Sequence, residues 1–262
     1  MIEKTNFDSI KHNIVNWISM QTKIFGDKIA IRIDGTINSF VAACMCIEAV
    51  GTENVKGLVM LSASNTKDIY AYHSICELLG IRYQRINVEP IMDMEIMQYS
   101  MNMDSEEPVE ISKENMSRAK DRVVMNMMRL WADTNGYCLC GSNNYSMITT
   151  GNFTRGGDNC CDFNPNARIT SIEIEELAKK FKQYDEFKNI IKATANTDGA
   201  ILDGVSDENI HRYIRGIKIG EDGDKIWYQI HDAELASLHY RVSNPTYMPT
   251  DEELGKGPAN YI

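Results

Sequence analysis

Ile29-Ala30-Ile31-Arg32-Ile33-Asp34-Gly35-Thr36-Ile37-Asn38-Ser39 is the stretch that decides the fold. Its β-branched run reads as a buried strand, Gly35 marks a sharp bend, and the polar residues beyond it open an apolar helix. Open α/β sheets place phosphates and nucleotides at such strand–loop–helix junctions, against backbone N–H groups and the positive end of the helix. Many junctions of this kind bind nothing, so the local pattern leaves both readings open.

Working outward, Phe7, Ile10, Ile14, Trp17, Ile18 and Ile24 recur at helical spacing and predict an amphipathic helix before the strand. After it, Ser39 to Val50 is apolar nearly all round and ends at Gly51, which predicts a buried helix. Val55–Leu61 is a second strand, followed by a polar loop with a cap at Thr66 and a helix from about Lys67 to Leu79, closed by Gly80. Ile81–Val88 alternates and makes a third strand. Repeated β–α units predict a Rossmann-like α/β three-layer sandwich: a mainly parallel sheet with helices on both faces.

Residues 89–112 carry several methionines and acidic punctuation, expected to be part helix and part connection. Lys113–Asn135 reads as a long helix stopped by Gly136, and Tyr137–Ser142 as a fourth strand running into a second Gly/Ser/Asn loop. Thr150–Ile169 is long, polar and glycine-rich, the character of a functional loop. Helices are expected at Ser171–Lys182, around Asp185–Lys192 and from Asp207-Glu208, with a loop at Asn196–Gly204 and a last helix through Ile230–Leu238 before an extended tail. No repeat or composition break divides the chain, so residues 1–262 are expected to form a single α/β domain.

A formal net charge of −10 argues against general binding to nucleic acid or an anionic membrane, which select basic surfaces. No segment approaches the roughly 20 apolar residues needed to span a bilayer, and Met-Ile-Glu-Lys-Thr lacks a leader's layout, so a cytoplasmic location is expected. The 7 cysteines suit reduced, buried thiols. Cys138 and Cys140, with Cys160 and Cys161, depart from the spacing of structural zinc sites, and no metal site is read from them.

Several pieces together resemble the ammonia-dependent NAD synthetase family of N-type ATP pyrophosphatases. Val50-Gly51-Thr52-Glu53-Asn54-Val55-Lys56-Gly57 is similar to that family's A-L-G-x-E-N-V-x-G, Met60-Leu61-Ser62 to its M-P-S, and Glu77–Tyr83 to x-L-G-I-x-Y. Gly151–Asp158 resembles G-Y-F-T-K-Y-G-D, and Asp162 and Pro165 fit the family's pattern just beyond it. Ser206-Asp207-Glu208 resembles T-D-E, and His239-Tyr240-Arg241 with Pro245 the terminal H-K-R-x-x-P. The resemblance covers about residues 10–250. It implies ATP and Mg2+ as cofactors if the chain is active, and otherwise no certain cofactor, together with an adenine or nicotinamide nucleotide ligand and a homodimer. It implies a nucleotide site at Met60, Ser62 and Ser142, and substrate contacts at Arg155, Asp158, Asp207 and Glu208.

The pyrophosphate loop S-G-G-x-D-S falls on Asp34-Gly35-Thr36-Ile37-Asn38-Ser39. Asp34 puts a carboxylate where an anion should sit, Thr36 adds bulk, and Asn38 replaces the aspartate of the magnesium site. The second motif, G-T-x-N-x-S-E, falls on Gly141–Met147, where Met147 replaces the metal-binding glutamate. The family's following lysine falls on Ser171. These substitutions lead to a divergent nucleotide-binding protein whose ATP-dependent ligase activity is lost or altered. The alternative is an active enzyme that converts deamido-NAD, ATP and ammonia to NAD, AMP and pyrophosphate, with Asp34 supplying a compensating carboxylate.

Overall fold

The β-branched run does form a buried strand, β1 (Ile29–Arg32), whose Ile29, Ala30 and Ile31 are fully shielded from solvent. In the computed structural model, residues 5–62, 68–101, 111–192, 201–220 and 222–242 are described, the last five by backbone alone. Three more strands, β2 (Val55–Leu61), β3 (Arg82–Asn87) and β4 (Cys138–Cys140), complete a parallel sheet in the order β3-β2-β1-β4. Ile29 is level with Val55 on one side and Cys138 on the other, and Lys56 with Arg82.

Alternation along the strands sorts side chains between two cores. Ile29, Ile31, Val55, Val59, Cys138 and Cys140 face one layer. That layer is built from α1 (Phe7–Phe25), α2 (Ile37–Val50), α3 (Ile69–Leu79), α7 (Ser171–Ala178) and α8 (Tyr184–Ile191). Ala30, Leu58, Met60 and Leu139 face the other, covered by α4 (Glu89–Met101) and α5 (Lys113–Asn135). The fold is thus the expected Rossmann-like three-layer α/β sandwich. In β2, a Cβ at Gly57 would stand 3.1 Å from Cys76 Sγ and 3.2 Å from Ile33 Cγ1, so glycine lets α3 pack close to the sheet.

From β1 the chain moves outward to β2 and β3, then returns to the opposite side of β1 for β4. That reversal separates the connections leaving β1 and β4 and opens a crevice at their carboxyl ends. The outer edge of β4 is covered by the long loop after Thr150. Asp162 Oδ2 accepts from the Leu139 N–H at 2.7 Å, and Arg129 Nη1 reaches both carboxylate oxygens at 3.0 and 3.1 Å. Part of this expected functional loop therefore acts as an edge cover.

Two expectations need correction. The residues after Ser142 form a short helix, α6 (Tyr145–Thr150), where a loop is expected: Asn144 Oδ1 accepts from Met147 N, and Gly151 ends the helix in the left-handed region. Ser171–Lys182 is not helical throughout. Lys180 and Phe181 donate to Leu177 and Ala178 three residues back, tightening the chain into turns that bury Phe181. Beyond lie α9 (Asp207–Ile214), capped by Ser206, and α10 (Gly223–Val242), which packs on α6 through Ser237 Oγ donating to the Thr149 carbonyl at 2.9 Å. The cap at Thr66, the connection at 102–110, the loop from Asn196 to Ala200 and the tail with Pro245 lie outside the described residues. So do the side chains of His239, Tyr240 and Arg241.

Phe40 of α2 anchors the first core, stacked on Phe187 at 4.1 Å between centroids and edge-on to Phe181 at 6.4 Å. Phe40→Ala is expected to cost about 3–5 kcal/mol of stability, read from the shift of the urea midpoint.

Candidate functional site

The bend after β1 is tied to itself. Gly35 takes a φ of 82°, so the chain reverses where a side chain would be strained. Asp34 Oδ1 accepts from the Thr36 N–H at 3.1 Å and from its hydroxyl at 2.8 Å, while Arg32 Nε lies 3.7 Å from Asp34 Oδ2. Thr36 caps α2, its Oγ1 accepting from Ser39 N at 3.2 Å, and Ser39 Oγ donates to the Thr36 carbonyl at 3.0 Å. Two backbone donors of the loop are thus engaged by its own side chains.

The loop after β4 meets this one through asparagines. Asn166 Nδ2 donates to the carbonyls of Asn38 and Ser142, each at 2.9 Å, and Asn144 Nδ2 donates to Asn38 Oδ1 at 3.0 Å. Asn38 Nδ2 lies 4.0 Å from Met147 Sδ. Asn38 and Met147, 109 residues apart in sequence, therefore face each other.

Asn38 and Met147 do not fit a magnesium ion. The Asn38 amide oxygen is uncharged and already bonded to Asn144, and the Met147 thioether is a soft donor, so the pair lacks the carboxylate charge with which proteins hold magnesium.

These loops, with α5 and the start of α7, enclose a cavity of about 480 Å³ at the carboxyl ends of β1 and β4. Among the expected site residues it brings together Asp34, Thr36, Asn38, Ser142, Asp158 and Asp207. Gly35 forms the bend, and Ser39 is buried beneath it in the cap. Met60 packs in the core against α5. Ser62 is buried beside Glu89 and Lys120 in a neighbouring recess of about 410 Å³. Arg155 is exposed, with Arg122 Nε donating to its carbonyl at 3.0 Å, and Glu208 pairs with Arg212 at 2.8 Å on the surface of α9.

The cavity also recruits Arg32, Asp121, Asn143 and Glu175, which sequence reasoning passed over. Arg32 is the final residue of β1, and a strand's carboxyl end is where site residues of parallel sheets gather. Asp121 shares a helical face with Val124, Met125 and Met128, a carboxylate breaking an otherwise apolar stripe.

Two carboxylates sit close at the α5 side. Thr154 links them, its hydroxyl donating to Asp121 Oδ2 at 2.6 Å and its N–H to Asp158 Oδ1 at 2.8 Å. Burial, then the charge of Asp121, pushes Asp158 up to about 6, against the opposing pull of the Thr154 N–H, the Asn143 amide and Arg32. Burial and the nearby Arg32 lower Lys120. Cys140, in the cavity wall 3.6 Å from Cys46 Sγ, is pushed well up by burial, which keeps the thiol protonated and unreactive.

Folded protein holds the Asp158 proton more tightly than an unfolded chain, whose carboxyl titrates near 3.8. The carboxyl thus contributes stability that is fully present below about pH 4 and lost as the pH rises through about 6, some 1–3 kcal/mol in all. Asp158→Asn keeps an acceptor for Thr154 N–H and is expected to flatten this dependence, leaving the variant more stable than the parent at pH 7.5 but not at pH 4. Urea unfolding at the two pH values measures it.

A model of the NAD synthase family matches residues 10–208. The NH(3)-dependent NAD(+) synthetase of Pyrococcus furiosus is 29% identical over 178 residues, covering 68% of this chain and 65% of that protein. The enzyme of the same description from Methanococcoides burtonii is 26% identical over 253 residues, covering 93% of each chain. The matched region thus spans slightly under two thirds of the Pyrococcus relative's length. Among solved structures, the NMN synthetase from Francisella tularensis superposes with a TM-score of 0.74 at 20% identity, covering 91% of this chain and 97% of its own. The sheet order, the crevice at its switch point and the match over residues 10–208 agree, and the chain belongs to the NAD synthase family.

Proposed function

We propose that this chain is a divergent NAD synthetase-like nucleotide-binding protein whose ATP-dependent ligase activity is lost or altered. The observation that carries the proposal is the meeting of Asn38 and Met147 at 4.0 Å. Two positions that are acidic in the family come together here as an amide and a thioether. Activating a carboxylate with ATP requires charge to be neutralised on the departing pyrophosphate, which a bound metal and nearby cations supply. Neither Asn38 nor Met147 holds that metal, and the carboxylate of Asp34 adds negative charge where the leaving group belongs.

The nucleotide part of the proposal is supported by the cavity's place in the fold and by the family relationship. Its residues are Asp34, Gly35, Thr36, Asn38 and Ser39 on the first loop and Ser142 on the second. Asp158 and Asp207, which line the same cavity, are its candidate substrate contacts. A homodimer belongs to the same reading, supported by apolar side chains left exposed on α4 and α10, among them Met94, Met101 and Leu235. No helix of the described residues is long and apolar enough to cross a membrane.

The decisive assay combines the protein with deamido-NAD, ATP, magnesium and ammonium and follows NAD and pyrophosphate. No turnover is expected; sustained turnover that Asp34→Ala abolishes would overturn the proposal. A gain-of-site variant tests the cause: Asn38→Asp with Met147→Glu is expected to make ATP binding strengthen with magnesium. Parent binding is expected to stay within about twofold with or without the ion, as calorimetry would measure.

A further inference from the structure

One face of α9 ties part of the cavity wall to α7. Asp207, His211 and Arg215 recur every four residues, which places the three side chains along one side of the helix and its cap. The first of them lines the cavity, as do Ser171 and Glu175 of α7. The other two are bound to residues around the start of α7. His211 Nδ1 lies 2.8 Å from Thr170 Oγ1, the hydroxyl that caps α7, and both residues are buried. Arg215 grips the Glu173 carboxylate with Nε at 3.0 Å and with Nη2, which also donates to the Arg168 carbonyl at 3.1 Å.

These contacts fix direction as well as distance, because a planar guanidinium set on both carboxylate oxygens has one orientation. Glu173 is itself held, its Oε2 accepting from the Thr170 N–H at 2.9 Å within a capping box. Only 9% of the Arg215 side chain and 7% of the Glu173 side chain are exposed, so water offers little substitute and a shift of α9 would leave buried charges unmatched. Apolar packing holds α9 separately, since Ile210 joins Val205, Ile219 and Ile230 of α10 in a third core. Hydrophobic contact is non-directional and tolerates sliding and rotation; the two polar contacts do not.

We infer that His211 and Arg215 are positioning residues of the nucleotide site: they set the rotation of α9 on α7 and so hold Asp207 in the cavity, where its carboxylate accepts from a ribose hydroxyl. The inference rests on the proposal that this cleft binds a nucleotide with Asp207 as a contact, and adds the residues that act through it. Neither His211 nor Arg215 is among the described residues that line the cavity, so their influence on binding passes through the backbone of α9.

Calorimetry with deamido-NAD as the probe tests this as a double-mutant cycle. His211→Leu removes the bond to Thr170 and is expected to weaken binding by at least about threefold in the parent, but by less than about 1.5-fold when Asp207→Ala is already present. His211→Asn, whose side-chain amide stands where Nδ1 stands, is expected to stay within about twofold of the parent. A second route, Glu173→Gln with Arg215→Met, removes both buried charges at once and leaves the Thr170 N–H an acceptor; it is expected to follow His211→Leu in both backgrounds. Thermal melts confirm that each variant is folded. An equal loss in the two Asp207 backgrounds by either route, no loss in either background, or a loss in His211→Asn as large as in His211→Leu overturns the inference and leaves the nucleotide-site proposal standing. Binding of ATP without binding of deamido-NAD does the same. Failure of both probes to bind overturns the two together.

Discussion

One side chain holds the two halves of the site in register. Asn166 Nδ2 donates to the carbonyls of Asn38 and Ser142, bridging the loop after β1 to the loop after β4. Asn166 is itself fixed by a bond from its N–H to Asn164 Oδ1, and Asn164 Nδ2 in turn holds the carbonyl of Asn143. Amides suit this work because each carries both donors and acceptors and can close a network without bringing a charge inside. The arrangement is not fully satisfied: Asn166 Oδ1 is buried without a partner, so the clamp is held against some desolvation cost.

That constraint explains why two loops far apart in sequence behave as one wall. The strands beneath fix where the loops begin, since β1 and β4 pair directly and their last residues end at nearly the same level. The clamp fixes where the loops go. With both ends set, Asn38 and Met147 have no freedom to avoid each other, and their chemistry decides what the site can hold. Uncharged groups at this contact need no counterion to be stable when nothing is bound, whereas two facing carboxylates repel unless one is protonated or a cation lies between them. The acidic pair that remains, Asp121 and Asp158, shows the second case: Thr154 bridges them and Asp158 keeps its proton to higher pH.

The sequence showed the framework where periodicity and punctuation coincide. Lys113–Asn135 is bounded by a serine cap and by Gly136 in the left-handed region, and both ends can be read from residue type. β1 and α2 are legible because their apolar runs are continuous and Gly35 and Gly51 punctuate them. α6 was not legible, because a helix of 6 residues completes too few turns to establish a period. Its one local sign is Asn144, a residue type that caps helices but equally marks loops. The resemblance placed Asp34, Asn38, Ser142, Asp158 and Asp207, and the fold gathers them around one cavity. Glu175 was beyond reach for a different reason: it belongs to a helix whose face toward the site is set by tertiary packing, not by any neighbour in sequence.

The same structure shows why the identity of the residues at Asn38 and Met147 is not what holds the fold together. β1, α2 and the first core draw most of their stability from buried apolar surface, and of the polar residues facing the cavity Thr36 contributes as the cap of α2. The loop after β1 is partly self-supporting, because Asp34 and Thr36 accept from two of its backbone N–H groups, those of Thr36 and Ser39. A loop that relies on a ligand for its hydrogen bonds leaves donors open when empty; this one supplies its own acceptor as a covalent part of the chain. The Asp34 carboxylate braces the empty loop through Thr36 and places a negative charge beside it. The crevice at the carboxyl ends of β1 and β4 is thus held by apolar packing and an amide network, while the side chains lining it set its charge separately.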